Sequence, residues 1–550
     1  MSVTVADTGA AAWTEDNVLI VGSPLADLAP GHRVDDFDLL TALHTGERSR
    51  VFLARQRSMQ RVVALRFVLG EADPQPMARL DHPHVVRTFD HRRVRFADGA
   101  GRMVWLEYVP GGNAAALVAG TGPDSGDRLL RTVDRSMDAK GEIRSADSRV
   151  RTEIAALTWP ETVAWLGARL ATALAYADRQ GLHHGSIRST DVLFTADGTP
   201  KLGGWAGSAA SAADDVRDLA ILLWHMLTGR ETVASQHVPQ GCPEALRRTL
   251  LRCLAPSPEE RPDAAVLAEQ LRLCLDSRAR ELVAPPPQLW RYRLVPWRVP
   301  LIVLAVVVPN AAASLYNIFY ATPISQLRVS AHTQYVLDLL SAGSNVLWFS
   351  VGALVLCIMF RHIITVPGGI RAGKLYAPAV LNTARAKCLQ VGDHTVTLVF
   401  VLWAINIAIL PIGSMITGEP ASEGSLVRIT VLHLLCAAIA LVYPYLLVNF
   451  FLIRSIYPLF LAEGTVAADE RARLRGLRHR CMASLLVAAS IPLLTVAAAT
   501  LLPAEQLTRI IGAVRVLALG SVVLFAGAYL VFRALERDLR ALERVGSGQE

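Results

Sequence analysis

Leu182-His183-His184-Gly185-Ser186-Ile187-Arg188 and, after a short interval, Lys201-Leu202-Gly203-Gly204-Trp205-Ala206 are the stretches whose reading decides the fold of this chain. Just upstream, Glu161 to Gln180 place Val163, Leu166, Leu170 and Leu174 at helical spacing, so a long helix is expected to deliver the chain to the first stretch. Further back, from Val34, strand-like runs are broken by turn residues: Asp38-Leu39-Leu40, Arg50-Val51-Phe52-Leu53-Ala54 and Arg61 to Phe67. Downstream, the chain becomes strongly apolar for most of its remaining length. With 550 residues, 52% hydrophobic and only 19% charged, it exceeds one soluble core, and one part must lie in lipid.

The order of these segments resembles a Hanks-type (eukaryotic-like) bacterial serine/threonine protein kinase. Leu43-His44-Thr45-Gly46-Glu47-Arg48-Ser49-Arg50-Val51 matches the glycine-rich loop, but His44 and Ser49 stand where the first and third glycines would let backbone approach phosphates. Val63-Ala64-Leu65-Arg66 is similar to the Val-Ala-Ile-Lys strand, with Arg66 in the lysine position. A planar guanidinium fork is a poor substitute at a tight phosphate site. The helix that should carry the lysine's glutamate partner aligns to Asp73-Pro74-Gln75-Pro76-Met77, where two prolines oppose a regular helix. Leu80-Asp81-His82-Pro83-His84-Val85-Val86 and Val104 to Gly112 resemble the following turn and the interlobe hinge.

At the opening stretches, the resemblance aligns Ser186 with the catalytic aspartate, Arg188 with the loop lysine and Asp191 with the metal-binding asparagine. Gly204 aligns with the aspartate of the metal-binding triplet. Ser186 has no charge with which to accept a proton, and Gly204 offers no ligand. The activation segment is nearly absent before Asp214-Asp215-Val216-Arg217-Asp218-Leu219, which resembles the family's buried helix, with Asp215 bracing the catalytic loop. Pro258-Glu259-Glu260-Arg261-Pro262 matches the closing motif, whose arginine normally pairs with a glutamate missing here. The resemblance thus implies a pseudokinase with no catalytic residue. The equivalents of its ATP pocket are Gly46, Val51, Ala64, Arg66, Glu107, Val109 and Asp191, and ATP is the one cofactor they could seat, without productive magnesium.

The rest of the chain sets the architecture: an α+β bilobal protein-kinase-like domain followed by an all-α polytopic membrane domain. Residues 1–33 are expected to form a flexible tail, 34–283 the kinase-like domain with a mobile polar insertion at 114–158, and 284–298 a Pro-rich juxtamembrane linker. Residues 299–533 then carry six spans: Pro300 to Tyr320, Val336 to Phe360, Thr395 to Ile416, Ile429 to Ile453, Met482 to Leu502 and Ile511 to Phe532. Arg361, Arg371, Lys374, Arg385 and Lys387, then Arg454 and Arg471 to Arg480, then Arg533 to Arg544 crowd one set of loops. Only Arg328, Arg428 and Arg509 occupy the other. That asymmetry predicts a multi-pass plasma-membrane protein with both termini cytoplasmic.

The net charge of +7 lies largely in these loops, so lipid bilayer is the expected partner and nucleic acid is not. The seven cysteines show no metal or disulfide spacing, and no metal site is expected. Asn310, Asn317, Asn345, Asn406, His433 and Asn449 fit either interhelical hydrogen bonding or a ligand pocket. Residues 534–550 are similar to the start of a HAMP relay helix, with Leu535, Leu539, Leu542 and Val545 suited to a homodimer seam. The function expected is a membrane-anchored regulator or scaffold for a cytosolic signalling protein. The alternatives are a degenerate kinase that weakly phosphorylates proteins, and a receptor or carrier regulated by its kinase-like half.

Overall fold

The computed structural model describes residues 18–70, 78–119, 124–143, 148–205, 210–230, 242–283, 297–325, 330–371, 374, 376–419, 422–461, 468–500 and 504–546. The chain divides into two compact units, Met1–Leu275 and Asp276–Glu550.

The first unit opens with a seven-stranded sheet. Its strands are β1 (Leu19–Ile20), β2 (Arg33–Val34), β3 (Phe37–Thr45), β4 (Ser49–Gln56), β5 (Arg61–Leu69), β6 (Thr88–Phe96) and β7 (Gly99–Leu106), in the order β1-β6-β7-β5-β4-β3-β2. All pairs are antiparallel except β1 with β6. Alternation along the strands turns Phe37, Leu39, Phe52, Ala54, Val63, Leu65, Phe67, Met103 and Trp105 into one buried face. Leu19, Val21, Leu25 and Leu28 join the same core. Residues 18–33, expected as tail, are therefore part of the sheet layer, held by this apolar quartet and by the pairing of Leu19 with Val94.

After the sheet come α1 (Ala115–Ala119), α2 (Asp127–Lys140), α3 (Arg149–Ala155) and the long α4 (Trp159–Arg179). The region 114–158 was expected as a mobile loop, yet three helices occupy it. In α2 the apolar side chains Leu129, Leu130, Val133 and Met137 are buried at helical spacing among charges that masked the pattern. Helix α4 begins at a capping box, in which Thr158 and Glu161 satisfy each other's backbone groups, and it is buried along most of its length. The hairpin β8 (Val192–Phe194) and β9 (Pro200–Leu202) follows. Then come α5 (Ala212–Thr228), α6 (Glu244–Cys253) and α7 (Ala264–Leu273). The proposed proline-broken helix at 73–77 and residues 207–209 of the short activation segment, 207–213, lie outside the described residues.

The second unit is wholly helical in its described residues: α8 (Ser277–Val283), α9 (Arg298–Ser325), α10 (Ala331–Arg371), α11 (Pro378–Ile407), α12 (Ile409–Thr417), α13 (Glu423–Ser455), α14 (Tyr457–Leu461), α15 (Ala468–Thr500) and α16 (Ala504–Gly546). Helix α8, read from sequence as the end of the kinase-like domain, falls in this unit. Residues 284–296, most of the expected Pro-rich linker, lie outside the described residues. Among the described residues, six helical stretches are long and apolar enough to cross a membrane, each containing or overlapping one expected span. The third is broken at Ala408, between α11 and α12.

Ionisable residues gather near helix ends. Asp538, fully buried, accepts hydrogen bonds from Arg278 Nε at 2.5 Å and from Arg454. Arg385 pairs with Glu470 at 3.1 Å, and Glu470 also accepts the Tyr457 hydroxyl at 2.8 Å. The leucines expected to form a dimer seam, Leu535, Leu539 and Leu542, are at most 2% exposed within this single chain. Helix α16 lies along α15, tied by Arg478 and Glu543 at 3.3 Å, so these side chains are already covered. Val545's side chain lies outside the described set.

Candidate functional site

The loop between α4 and β8 is held from behind. His184 N–H donates to Asp215 Oδ2 at 2.7 Å and Gly185 N–H donates to Asp215 Oδ1 at 2.8 Å, with Asp215 only 3% exposed at the start of α5. Gly185 has a φ of 89°, a left-handed conformation that a side chain would strain. The His184 ring is fully buried. Its Nε2 lies 2.7 Å from the Gly203 carbonyl and its ring stands 5.0 Å from that of Trp205. Trp205 in turn donates from Nε1 to the Leu202 carbonyl at 3.1 Å. The large indole fills the position of the triplet's phenylalanine and anchors itself to the strand before it.

His84, in the segment before β6, ties that segment to β9. Its Nδ1 lies 3.1 Å from the Pro200 carbonyl, and its own carbonyl accepts from Leu202 N–H at 2.8 Å. Burial pushes the ring's pKa down to about 4, against the upward pull of the Pro200 hydrogen bond.

The front of the same loop is differently built. Ser186 and Arg188 are exposed. Asp191 folds back, accepting the Arg188 N–H on Oδ2 at 2.9 Å, while its backbone carbonyl accepts Gly203 N–H at 2.7 Å. Its carboxylate fills the space in front of Gly204: a Cβ placed on Gly204 would meet Asp191 Oδ1 at 2.4 Å and Cγ at 2.7 Å. Gly204 itself has a φ of 75°. Gly204 leaves no hole, because the Asp191 carboxylate occupies the space a side chain there would enter, and an aspartate at 204 would require Asp191 to move.

A second coupled exchange lies across the cleft. Arg66, paired on β5 with Val51 and Val104, donates from Nε to Ser49 Oγ at 3.3 Å. Burial lowers its guanidinium pKa, partly offset by the facing Asp191 carboxylate. Ser49 therefore serves as the partner of the arginine that replaces lysine. At the loop tip, Gly46 N–H donates to the Ser49 carbonyl at 2.9 Å, and His44 Nε2 lies 3.2 Å from where a Gly46 side chain would begin. The imidazole thus closes over the turn that glycine would leave open.

Among the other expected pocket residues, Ala64 and Val109 are buried and Val51 is half-buried. Glu107 anchors the hinge: its N–H donates to the Arg87 carbonyl at 2.8 Å and its carboxylate takes Lys201 Nζ at 2.8 Å. Of the expected ATP-pocket equivalents, Arg66 on β5 lies beside Val51 on β4 and faces Asp191. Among the described residues no cluster of three or more His, Cys, Asp or Glu suits a metal ion.

Sequence reading missed the partners rather than the positions. Arg261, expected to lack its glutamate, bonds Asp214 Oδ1 at 3.2 Å and the carbonyls of Ala213 and Ala255. The signal was available, since Ser211 and Asp214 form a capping box at the start of α5 and bring a carboxylate to that place.

No protein-family model matches the chain. The chain is similar to the serine/threonine-protein kinase PknB of Mycobacterium tuberculosis (strain ATCC 25618 / H37Rv), with 24% identity over 271 residues, 43% of this chain and 42% of the relative. The PknB of Mycobacterium bovis (strain ATCC BAA-935 / AF2122/97) matches to the same extent. The match thus spans less than half the length of these curated relatives. Among solved structures, the kinase domain of Mycobacterium tuberculosis PknI is 18% identical, with a TM-score of 0.31, covering 44% of this chain and 98% of that one. Distant homology to PknB, together with the motifs above, supports a Hanks-type bacterial kinase-like domain in the N-terminal half.

Proposed function

We propose that this protein is a membrane-anchored pseudokinase that does not transfer phosphate and acts as a regulator or scaffold for a cytosolic signalling protein. The observation that carries the reading is the seating of Asp191 against Gly204, where a second carboxylate would have to stand to hold magnesium on a nucleotide. Phosphoryl transfer depends on metal positioning and charge neutralisation, and one carboxylate already engaged by Arg188 N–H is a weak grip. Ser186, exposed and uncharged, adds no base.

The six apolar helices support anchorage in a bilayer, and the arginine-rich loops support placing both termini in the cytoplasm. Full-length protein in lipid nanodiscs, incubated with γ-labelled ATP and magnesium or manganese, is expected to incorporate no phosphate above an Arg66→Ala control. Incorporation that Arg66→Ala abolishes would refute the silent reading.

A second reading is favoured by the intact apolar walls of the cleft, Val51, Ala64 and Val109. Here ATP is retained as a structural ligand, without productive magnesium, and stabilises the closed kinase-like shape offered to the partner. Thermal protection of the full-length protein by ATP in the presence of a chelator tests it, and absence of protection at millimolar ATP rejects it.

A further inference from the structure

A cavity of about 160 Å³ lies among α9, α10 and α11 in the membrane unit. Its wall holds no Asp, Glu, Lys, Arg or His, but it carries the amides of Asn310, Asn317, Asn345 and Asn406 on an otherwise mostly apolar surface. Polar side chains at such depth are costly unless bonded, so what each amide does is informative.

Asn310 is fully engaged. Its Nδ2 donates to the Val306 carbonyl at 2.9 Å and the Ala440 carbonyl at 3.5 Å, and its Oδ1 accepts Trp403 Nε1 at 3.2 Å. It serves as an interhelical tie. Asn317 is different. His433 Nδ1 lies 3.0 Å from the Ile429 carbonyl and so carries the proton, leaving Nε2 as acceptor for Asn317 Nδ2 at 3.1 Å. That fixes the amide's orientation and leaves Asn317 Oδ1 buried with no hydrogen-bond partner. Asn345 donates one Nδ2 N–H to the Ser341 carbonyl at 2.8 Å, which leaves its second N–H and its Oδ1 available. Among the wall amides, the polar atom buried without a partner, Asn317 Oδ1, is an acceptor, and a donor on a ligand would satisfy it. At the rim, Val303, Val307 and Phe349 are 45%, 40% and 38% exposed, which opens the cavity sideways toward hydrocarbon.

The geometry points to a binding site for an uncharged lipid-phase molecule whose head donates a hydrogen bond, such as a long-chain alcohol. A charged head would be desolvated with no counter-charge. A volume near 160 Å³ takes roughly the head and first carbons of such a molecule, on the scale of an engineered ~150 Å³ cavity that binds benzene, and the chain leaves through the rim. The inference rests on the helices spanning a bilayer.

The test uses full-length protein in nanodiscs, a diazirine-bearing hexadecanol as probe, and peptide mapping of the adducts. Saturable labelling within 345–360 and 398–406, competed by unlabelled hexadecanol but not by palmitate, is expected. Asn317→Leu should weaken apparent affinity about tenfold, and Ala353→Phe, on the cavity wall, should abolish the saturable component. Uniform, unsaturable labelling of all lipid-facing helices would overturn the site and identify the occupant as bulk lipid. Equal competition by palmitate, or by a water-soluble short alcohol alone, would overturn the assigned chemistry. If Ala353→Phe fails to fold, unchanged affinity in Asn317→Leu still refutes the proposal. Release of the protein from native membranes by alkaline carbonate would instead refute the bilayer reading on which the site depends.

Discussion

The two sides of the loop Leu182 to Asp191 differ in what holds them. Its back is tightly braced, with Asp215 gripping two backbone N–H groups, His184 fully buried and Trp205 packed against it. Its front presents an exposed serine, an exposed arginine and a carboxylate folded into the space of a missing neighbour. The back is under packing constraint, where an unpaired buried donor costs free energy whatever the protein does. The front, with Ser186 and Arg188 exposed, is under little packing constraint. The loss at Gly204 is also not independent of Asp191, just as Ser49 is not independent of Arg66.

The contrast can be broken most forcefully at Asp215. Asp215→Ala should orphan the N–H groups of His184 and Gly185 and destabilise the loop by about 3–4 kcal/mol. Hydrogen exchange of the full-length protein checks this locally, which suits a two-unit chain better than a single unfolding curve. Unchanged protection at 184 and 185 would show that the back is not braced as described.

His84 offers the next largest effect. The folded ring takes up its proton only near pH 4, whereas the unfolded ring does so near 6.5. Between those values the unfolded chain binds more protons, so stability falls as pH drops through the window, by about 3 kcal/mol at its lower end. Exchange protection of β9 should follow that fall in the parent and be markedly flatter in His84→Gln. An equal slope in both would place the acid sensitivity elsewhere.

Much of this arrangement was legible beforehand. Strand alternation exposed β3 to β5, apolar spacing exposed α4, and run length exposed the six long helices, because each is a local pattern with a fixed period. Residues 18–33 were not legible, since Leu19 and Val21 become core only when β6 is alongside. The helix α2 hid its apolar side chains among aspartates and arginines. At the site, the exchanged positions were visible one by one, but Ser49 with Arg66, Asp191 with Gly204 and Asp214 with Arg261 are partners distant in sequence. Only the fold shows that each loss is matched by a gain.

Two smaller effects sharpen the comparison. Gly204→Ala should cost about 2 kcal/mol, from its positive φ and the clash with Asp191, and Asp191→Ser in the same chain should recover the part due to the clash. Equal stability of the two variants, read by exchange at 202–205, would show that Asp191 does not occupy the space. Ser186→Ala, on the exposed front, should change stability by less than about 0.5 kcal/mol. A larger loss would mean the front is structural after all.

The most direct test of the central claim, that the cleft gives a nucleotide's magnesium no adequate carboxylate grip, is the affinity of full-length protein for ATP measured with and without magnesium. The same affinity, or no binding, is expected in both conditions. A tenfold or greater strengthening by magnesium that disappears in Asp191→Asn would contradict it.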